Sequence, residues 1–409
     1  MLYEPLRQRT RRPVVTILGY PSKPTAMGGL RWLKRVTDYI EQKDIFYIKK
    51  IHNERTIAKK ITKNKFILWT LFSLIDDTHA ALKAFFTNPD IAILDTYGEA
   101  NIILWILLRF FKPNAKILSI FHHYEPTPTI PMKNNNGMLL RRFQLYYNHL
   151  IERAFKNMIK DSDRIITVSN SSMHQLYSIC GLTEAEISKK VVIAGAGIDQ
   201  FVLHHSNNNN NNDKEDTEKD IDFLCIGRID KFEGIEKIWQ LIKHKHSKAN
   251  FVMIGQATDE QIHKFSKLGI DHMGILCEDE KLEIYSRAKV FLFPSMREGF
   301  GMAVAESLCV GLPVVAWKIP VFEELYCKTK DVNNTNSNSS FEGVILIEPK
   351  NYKLFADESL MILNSLSNKL TMTPCKRKIS LKIIKTWNEI GDRVITVLKD
   401  MVNNSNGCC

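Results

Sequence analysis

FLFPSMREGFGMAVAESLCVGLPVVA, residues 291–316, is the stretch from which the fold of this chain can be read. Its apolar opening, Phe291 to Phe293, predicts a buried strand that ends at Pro294-Ser295. The Gly299-Phe300-Gly301 turn then opens a helix, and Gly311-Leu312-Pro313 leads into the next strand. A glycine turn at the carboxyl end of a parallel strand puts backbone N–H groups and a positive helix end where a phosphate can sit. Glu298 precedes that helix and Glu306 lies on its second turn, so the two carboxylates reach different parts of one ligand.

The same alternation extends outward in both directions. Short β-branched runs exchange with helical spacing along both halves, which predicts parallel sheets with crossover helices. Strands are expected at 14–18, 45–48, 91–94, 116–121, 164–168 and 191–193 in the first half, and at 223–226, 250–254, 290–293, 313–316 and 343–347 in the second. Residues 235–242 and 282–288 carry apolar residues at three- and four-residue intervals, as helices do. The class is α/β, with two Rossmann-like doubly wound domains in tandem.

Two segments differ from the rest. Residues 204–222 (HHSNNNNNNDKEDTEKDID) and 328–340 (KTKDVNNTNSNSS) have almost nothing apolar to bury and read as a linker and an inserted loop. The expected division is a first domain over 1–202, a linker over 203–220 and a second domain over 221–378. A last helix at about 379–401 bears one apolar stripe, Ile383, Trp387, Ile390, Val394 and Leu398, and is expected to pack back across the first domain.

Composition narrows the function classes. The 409 residues are 44% hydrophobic and 25% charged, as in a folded globular protein. No apolar run approaches the roughly 18 residues of a spanning helix, and no apolar segment follows the N-terminal arginines as in a secretory signal. The eight cysteines lack CxxC spacing and nearby histidine pairs, which fits neither a disulfide framework nor a zinc site and suits a reducing cytoplasm. Asp161-Ser162-Asp163 and Asp220-Ile221-Asp222 look like metal-binding D-x-D pairs, but one precedes a strand and the other lies in the acidic linker. No metal site is expected. The net charge of +11 is concentrated at the start, where residues 1–60 hold 14 Lys/Arg against 5 Asp/Glu. Arg7, Arg9, Arg11, Arg12, Arg31, Lys34 and Arg35 make an anionic membrane surface a candidate partner.

The 291–316 stretch resembles the retaining glycosyltransferases of the GT-B fold, family four of the sequence classification. Their E-x7-E motif matches Glu298 to Glu306, with P-S before it and G-x-P-V-V after it. The resemblance implies two Rossmann-like domains facing across a cleft, with Glu298 on donor-sugar hydroxyls and Glu306 on the ribose. It also implies an Arg and a Lys for the diphosphate. Arg228 in FLCIGRIDKFEGIEKIWQLI (223–242) matches the first, whereas the expected lysine position holds Glu233 and the nearest lysine is Lys231. A glutamate facing a diphosphate would repel it, so either Lys231 swings in or Glu233 turns to solvent.

Further segments extend the likeness over most of residues 13–400. Ile275 and Leu276 resemble the loop whose backbone meets the base, and Gly28-Gly29 the glycine loop that approaches the diphosphate. His122 resembles the histidine beside the transferred sugar, and 193–201 matches a segment usually reading N-G-x-D, here with Ala196 for the Asn. The implied donor-binding set is Gly28, Gly29, Arg228, Lys231, Ile275, Leu276, Glu298, Gly299, Phe300, Gly301, Met302 and Glu306, with Glu298, His122 and Arg228 in catalytic roles. The implied activity is hexose transfer from a nucleotide-diphosphate sugar to a hydroxyl of a glycan, glycolipid or lipid-linked acceptor. It would need neither metal nor cofactor, bind no nucleic acid, and take place in the cytoplasm or at the inner face of the membrane. The competing readings are a non-catalytic GT-B partner or regulatory subunit, supported by Glu233 and Ala196, and a nucleotide-sugar epimerase on the same fold.

Overall fold

The computed structural model describes residues 11–21, 28–53, 66–95, 98–123, 137–199, 202, 219–326, 343–367 and 385–403. Arg7, Arg9, Ile383, the linker up to residue 218 and the 328–340 loop lie outside them. The first half runs β1 (Val14–Leu18), α1 (Gly28–Gln42), β2 (Tyr47–Ile51), α2 (Phe66–Phe86), β3 (Ile91–Asp95), α3 (Glu99–Phe111) and β4 (Lys116–Phe121). It continues through α4 (Gly137–Asp161), β5 (Arg164–Thr167), α5 (Asn170–Cys180), α6 (Glu184–Lys190), β6 (Val191–Ile193) and β7 (Gly197–Ile198). The second half runs β8 (Ile221–Ile226), α7 (Ile235–Lys245), β9 (Phe251–Ile254), α8 (Asp259–Lys267), β10 (Asp271–His272), α9 (Glu278–Arg287) and β11 (Ala288–Phe293). There follow α10 (Met302–Cys309), β12 (Val314–Trp317), α11 (Pro320–Tyr326), β13 (Val344–Ile347), α12 (Tyr352–Ser367), β14 (Lys385–Thr386) and α13 (Trp387–Asn403).

Two six-stranded sheets result, ordered β2-β1-β3-β4-β5-β6 and β10-β9-β8-β11-β12-β13, and their strand pairs are parallel throughout. Central strands are covered on both faces, which is why β1, β3 and β9 are buried along their whole length and read as continuous apolar runs. Strand order reverses between β1 and β3 in one sheet and between β8 and β11 in the other. A ligand crevice opens at such reversals, beyond the carboxyl ends of the strands.

One core fills the second domain around Trp239, Phe291 and Trp317. The first sheet has a core on each face, and one of these joins α1 to α13 through Trp387, Ile390, Val394 and Leu398. That return across the chain depends on small residues. A Cβ at Gly391 would come 2.1 Å from the Tyr39 ring, and one at Gly197 would come 2.5 Å from Trp387. β14 pairs with β7 in parallel, Lys385 opposite Gly197, and anchors the start of α13.

The second strand starts two residues later than expected and runs to Ile51. Phe46 is buried in the core, and pairing with β1 begins only at Tyr47, whose N–H donates to the Pro13 carbonyl at 2.9 Å. The two-residue strands β7, β10 and β14 were not anticipated, because two residues carry no periodicity.

Candidate functional site

A cleft of about 680 Å³ lies where the two sheets' reversal points face each other. Gly28 and Gly29 reach it from the start of α1, His122 from the end of β4, Arg228 and Lys231 from the segment after β8. Ile275 and Leu276 come from the loop after β10, and Glu298, Gly299, Phe300, Gly301, Met302 and Glu306 from the turn and helix after β11. Every site residue named from the sequence therefore lines this one cleft.

The glycines of the 299–301 turn are there for geometric reasons. A Cβ at Gly299 would lie 2.4 Å from the His122 carbonyl oxygen, so only glycine lets the two domains approach at this point. Gly301 has φ +79° and a hypothetical Cβ 2.5 Å from the Phe322 ring. The N-cap residue Gly301 has no side chain to cap α10, and the helix's first residues border the cleft. Glu298 is oriented by Ser295, whose Oγ donates to Glu298 Oε1 at 2.8 Å. Gly29 is packed on the His122 ring, and Ser172 Oγ donates to the His122 carbonyl.

His122 is buried, its ring edge-on to Trp32. Burial, together with the neighbouring His123, pushes its pKa down to about 3. The imidazole is accordingly neutral near pH 7, and its 4.0 Å separation from Asp95 Oδ1 is not an ion pair. On the opposite wall Arg228 pairs with Asp230 at 2.7 Å, holding the aspartate's pKa below its ordinary value. Lys231 lines the cleft and donates to His123 Nε2 at 3.3 Å. Glu233 is exposed, its backbone N–H bonded to the Pro294 carbonyl. The substituted lysine position thus faces solvent while Lys231 stands at the cleft.

The sequence reading missed a set of side chains centred on Arg31. This residue was expected on a basic outer surface. Instead its guanidinium donates to Asp199 Oδ2 of the first domain (2.6 Å) and crosses to the second domain to donate to Glu306 Oε1 (2.6 Å) and Glu278 Oε2 (3.1 Å). Burial alone would lower its pKa, but Glu306, Glu278 and Asp199 outweigh burial and raise it above the ordinary arginine value. Arg35 pairs with Asp199 at 3.0 Å and Lys34 with Asp38 at 2.7 Å, so the basic cluster of the first helix is engaged by carboxylates. Tyr285 OH donates to Glu306 Oε2 at 3.2 Å. Trp32 Nε1 donates to the Gly195 carbonyl at 2.8 Å, and Ala196, in place of the family's Asn, borders the cleft. Glu324 caps α5 from across the domains, accepting the N–H groups of Asn170 and Ser171 at 2.8 and 2.7 Å. The only signal that could have flagged Arg31 was its position three residues after Gly28, within the glycine loop's first helical turn.

Comparison with known proteins agrees with this architecture. Residues 206–369 match the family model "Glycosyl transferases group 1". The O-antigen biosynthesis glycosyltransferase WclY of Escherichia coli is 33% identical over 116 residues, which are 27% of this chain and only 33% of that relative's length. A sucrose-phosphate synthase from Thermosynechococcus elongatus superposes with a TM-score of 0.68 at 13% identity, over 96% of this chain and 100% of that one. Anabaena HepE in complex with UDP-glucose superposes with a TM-score of 0.62 at 12% identity, over 95% and 100% of the two chains. The chain has the GT-B fold, and its residues 206–369 are similar to the group 1 glycosyl transferases.

Proposed function

We propose that this protein is a retaining glycosyltransferase that moves a hexose from a nucleotide-diphosphate sugar to a hydroxyl of a glycan, glycolipid or lipid-linked acceptor. The observation that carries this reading is the convergence, in one interdomain cleft, of Glu298, Glu306, Arg228, Lys231 and His122 with Gly28-Gly29 at the start of α1 and the 299–301 glycine turn. Their chemistry suits such a donor. Glu306 accepts the ribose hydroxyls, Glu298 accepts hydroxyls of the sugar, and the neutral His122 exchanges a hydrogen bond with the sugar without bringing charge. Arg228, Lys231 and the positive end of α10 take the charge that builds on the departing diphosphate. The acceptor oxygen bonds to the anomeric carbon on the face from which the diphosphate leaves, so catalysis consists of positioning and leaving-group stabilisation with no metal in the scheme. Enclosure between the domains keeps water from intercepting the sugar.

The non-catalytic alternative rested on Glu233 and Ala196. The exposure of Glu233 and the presence of Lys231 at the cleft remove most of its force. A thermal-shift screen against UDP-, GDP- and ADP-sugars tests the proposal, because a bound donor stabilises the fold by mass action. Stabilisation by one class, followed by donor-dependent transfer or slow donor hydrolysis, is the expected result. No stabilisation by any of the three would defeat it.

Docking at an anionic membrane surface is also part of the proposal, on a different face from the first-helix cations. The outer faces of α2, α3 and α4 expose Leu71, Ile75, Phe86, Phe110, Phe111 and Tyr146, beside the exposed cations Lys83, Arg141, Arg142 and Arg153. Co-sedimentation with anionic and neutral liposomes at low and high salt checks it; absence from the pellet even with anionic lipid at low salt would sink it.

A further inference from the structure

Glu306, the carboxylate assigned to the ribose, is already held from two sides. Arg31 Nη1 donates to Oε1 at 2.6 Å from the first domain, and Tyr285 OH donates to Oε2 at 3.2 Å from α9 of its own domain. A carboxylate offers about four acceptor positions. One on each oxygen is taken, which leaves two, the number that a ribose diol requires. Arg31 engages Glu306 through a single nitrogen on a single oxygen; a plug that blocked the ribose would cover both oxygens as a fork.

The surrounding charges specify the job further. Arg31 Nη2 is bound to Asp199 and Glu278, but each of these has a second cation, Arg35 at 3.0 Å and Lys281 at 2.7 Å. Glu306 has no such second partner: among the described residues its ion pair is with Arg31. Both side chains are nearly enclosed, 11% and 4% exposed. Asp199 and Glu278 therefore hold the guanidinium in place, and the guanidinium in turn holds Glu306.

We propose that Arg31 is a positioning residue of the donor site, which reaches across the cleft to fix the Glu306 carboxylate in the orientation that accepts the ribose 2′- and 3′-hydroxyls. The inference rests on the donor reading above and adds to it that the ribose site of the second domain is complete only when the first domain is closed against it. Arg31 acts through Glu306 and need not touch the nucleotide.

The test is calorimetric binding of UDP, GDP and ADP to the full chain, repeated with the 2′,3′-dideoxy counterpart of whichever binds. Arg31→Gln should weaken the ribonucleotide by about ten- to a hundredfold, the size of a charged hydrogen bond lost from a binding site. The dideoxy nucleotide, which has no diol for Glu306 to receive, should bind the variant and the native protein almost equally. Arg31→Lys keeps a cation that can serve one carboxylate at a time; it is expected to fold and to show a smaller loss of the same selective kind. An equal loss for both nucleotides in both variants would make Arg31 a structural tie and overturn the inference, as would unchanged or tighter ribonucleotide binding. If the native protein binds none of the three nucleotides, the donor reading itself fails, and this inference falls with it.

Discussion

The two walls of the cleft are built differently. The second-domain wall consists of turns that follow directly on strands: Gly227-Arg228 after β8, and Ser295 to Gly301 after β11. Its polar groups sit within a few residues of the glycines that shape them, and Ser295 orients Glu298 from three positions away. The first-domain wall works at long range. Arg31 meets partners 168, 247 and 275 residues away, and the His122 carbonyl abuts Gly299 of the other domain. A local wall can be read from one stretch of sequence, while a wall made of long-range contacts is defined only once the domains are placed.

If the second wall carries the leaving-group chemistry, its variants should show the largest effects. Arg228→Ala is expected to lower kcat by about 10²–10³-fold, as removal of one transition-state charge donor does, with the fold intact by circular dichroism. A drop of less than about threefold would shift that role to Lys231 and the α10 end.

The two glutamates sharpen the comparison within that wall. Glu306→Ala should raise the donor KM, because the ribose does not change during the reaction, whereas Glu298→Ala should mainly lower kcat. Equal changes in KM alone for both would contradict the split.

Gly299→Ala tests the contact between walls. Its methyl group would press on the His122 carbonyl oxygen, so the domains must part or the backbone shift, at about 1–3 kcal/mol. A denaturant midpoint and donor KM both unchanged from the native protein would show that the approach of the walls does not matter.

On the first wall, His122 supplies a pH signature. Its pKa falls from an ordinary value near 6.5 to about 3 on folding. Between those values the unfolded chain binds a proton that the folded chain refuses. Stability is therefore fully present above about pH 6.5 and declines as pH drops towards 3, by up to about 1.4 kcal/mol per pH unit. Melting curves from pH 7 to 5 should fall more steeply for the native protein than for His122→Asn; parallel curves would remove His122 from the account. The smallest effect is expected from Tyr285→Phe, which deletes one hydrogen bond to Glu306 and should weaken donor binding by about two- to tenfold, read by the same calorimetry.

Much of this molecule was legible before folding was considered. The parallel α/β architecture follows from apolar runs whose burial on both faces leaves no alternation to misread. The second-domain site follows from residues 291–316 because glycines, helix start and carboxylates are neighbours in sequence as well as in space. Tertiary structure alone decided the rest. Arg31 and Arg35 read as surface charge, since nothing local shows that Asp199, Glu278 and Glu306 will come within ion-pair distance; Lys34 differs, because Asp38 lies four residues on along the same helix. Glu233 read as a threat to diphosphate binding, since the turn that points it to solvent depends on a hydrogen bond to Pro294, sixty-one positions on. A sequence displays periodicity and neighbouring chemistry; which distant charges meet is settled by domain packing, where burial makes an unpaired charge too costly to keep.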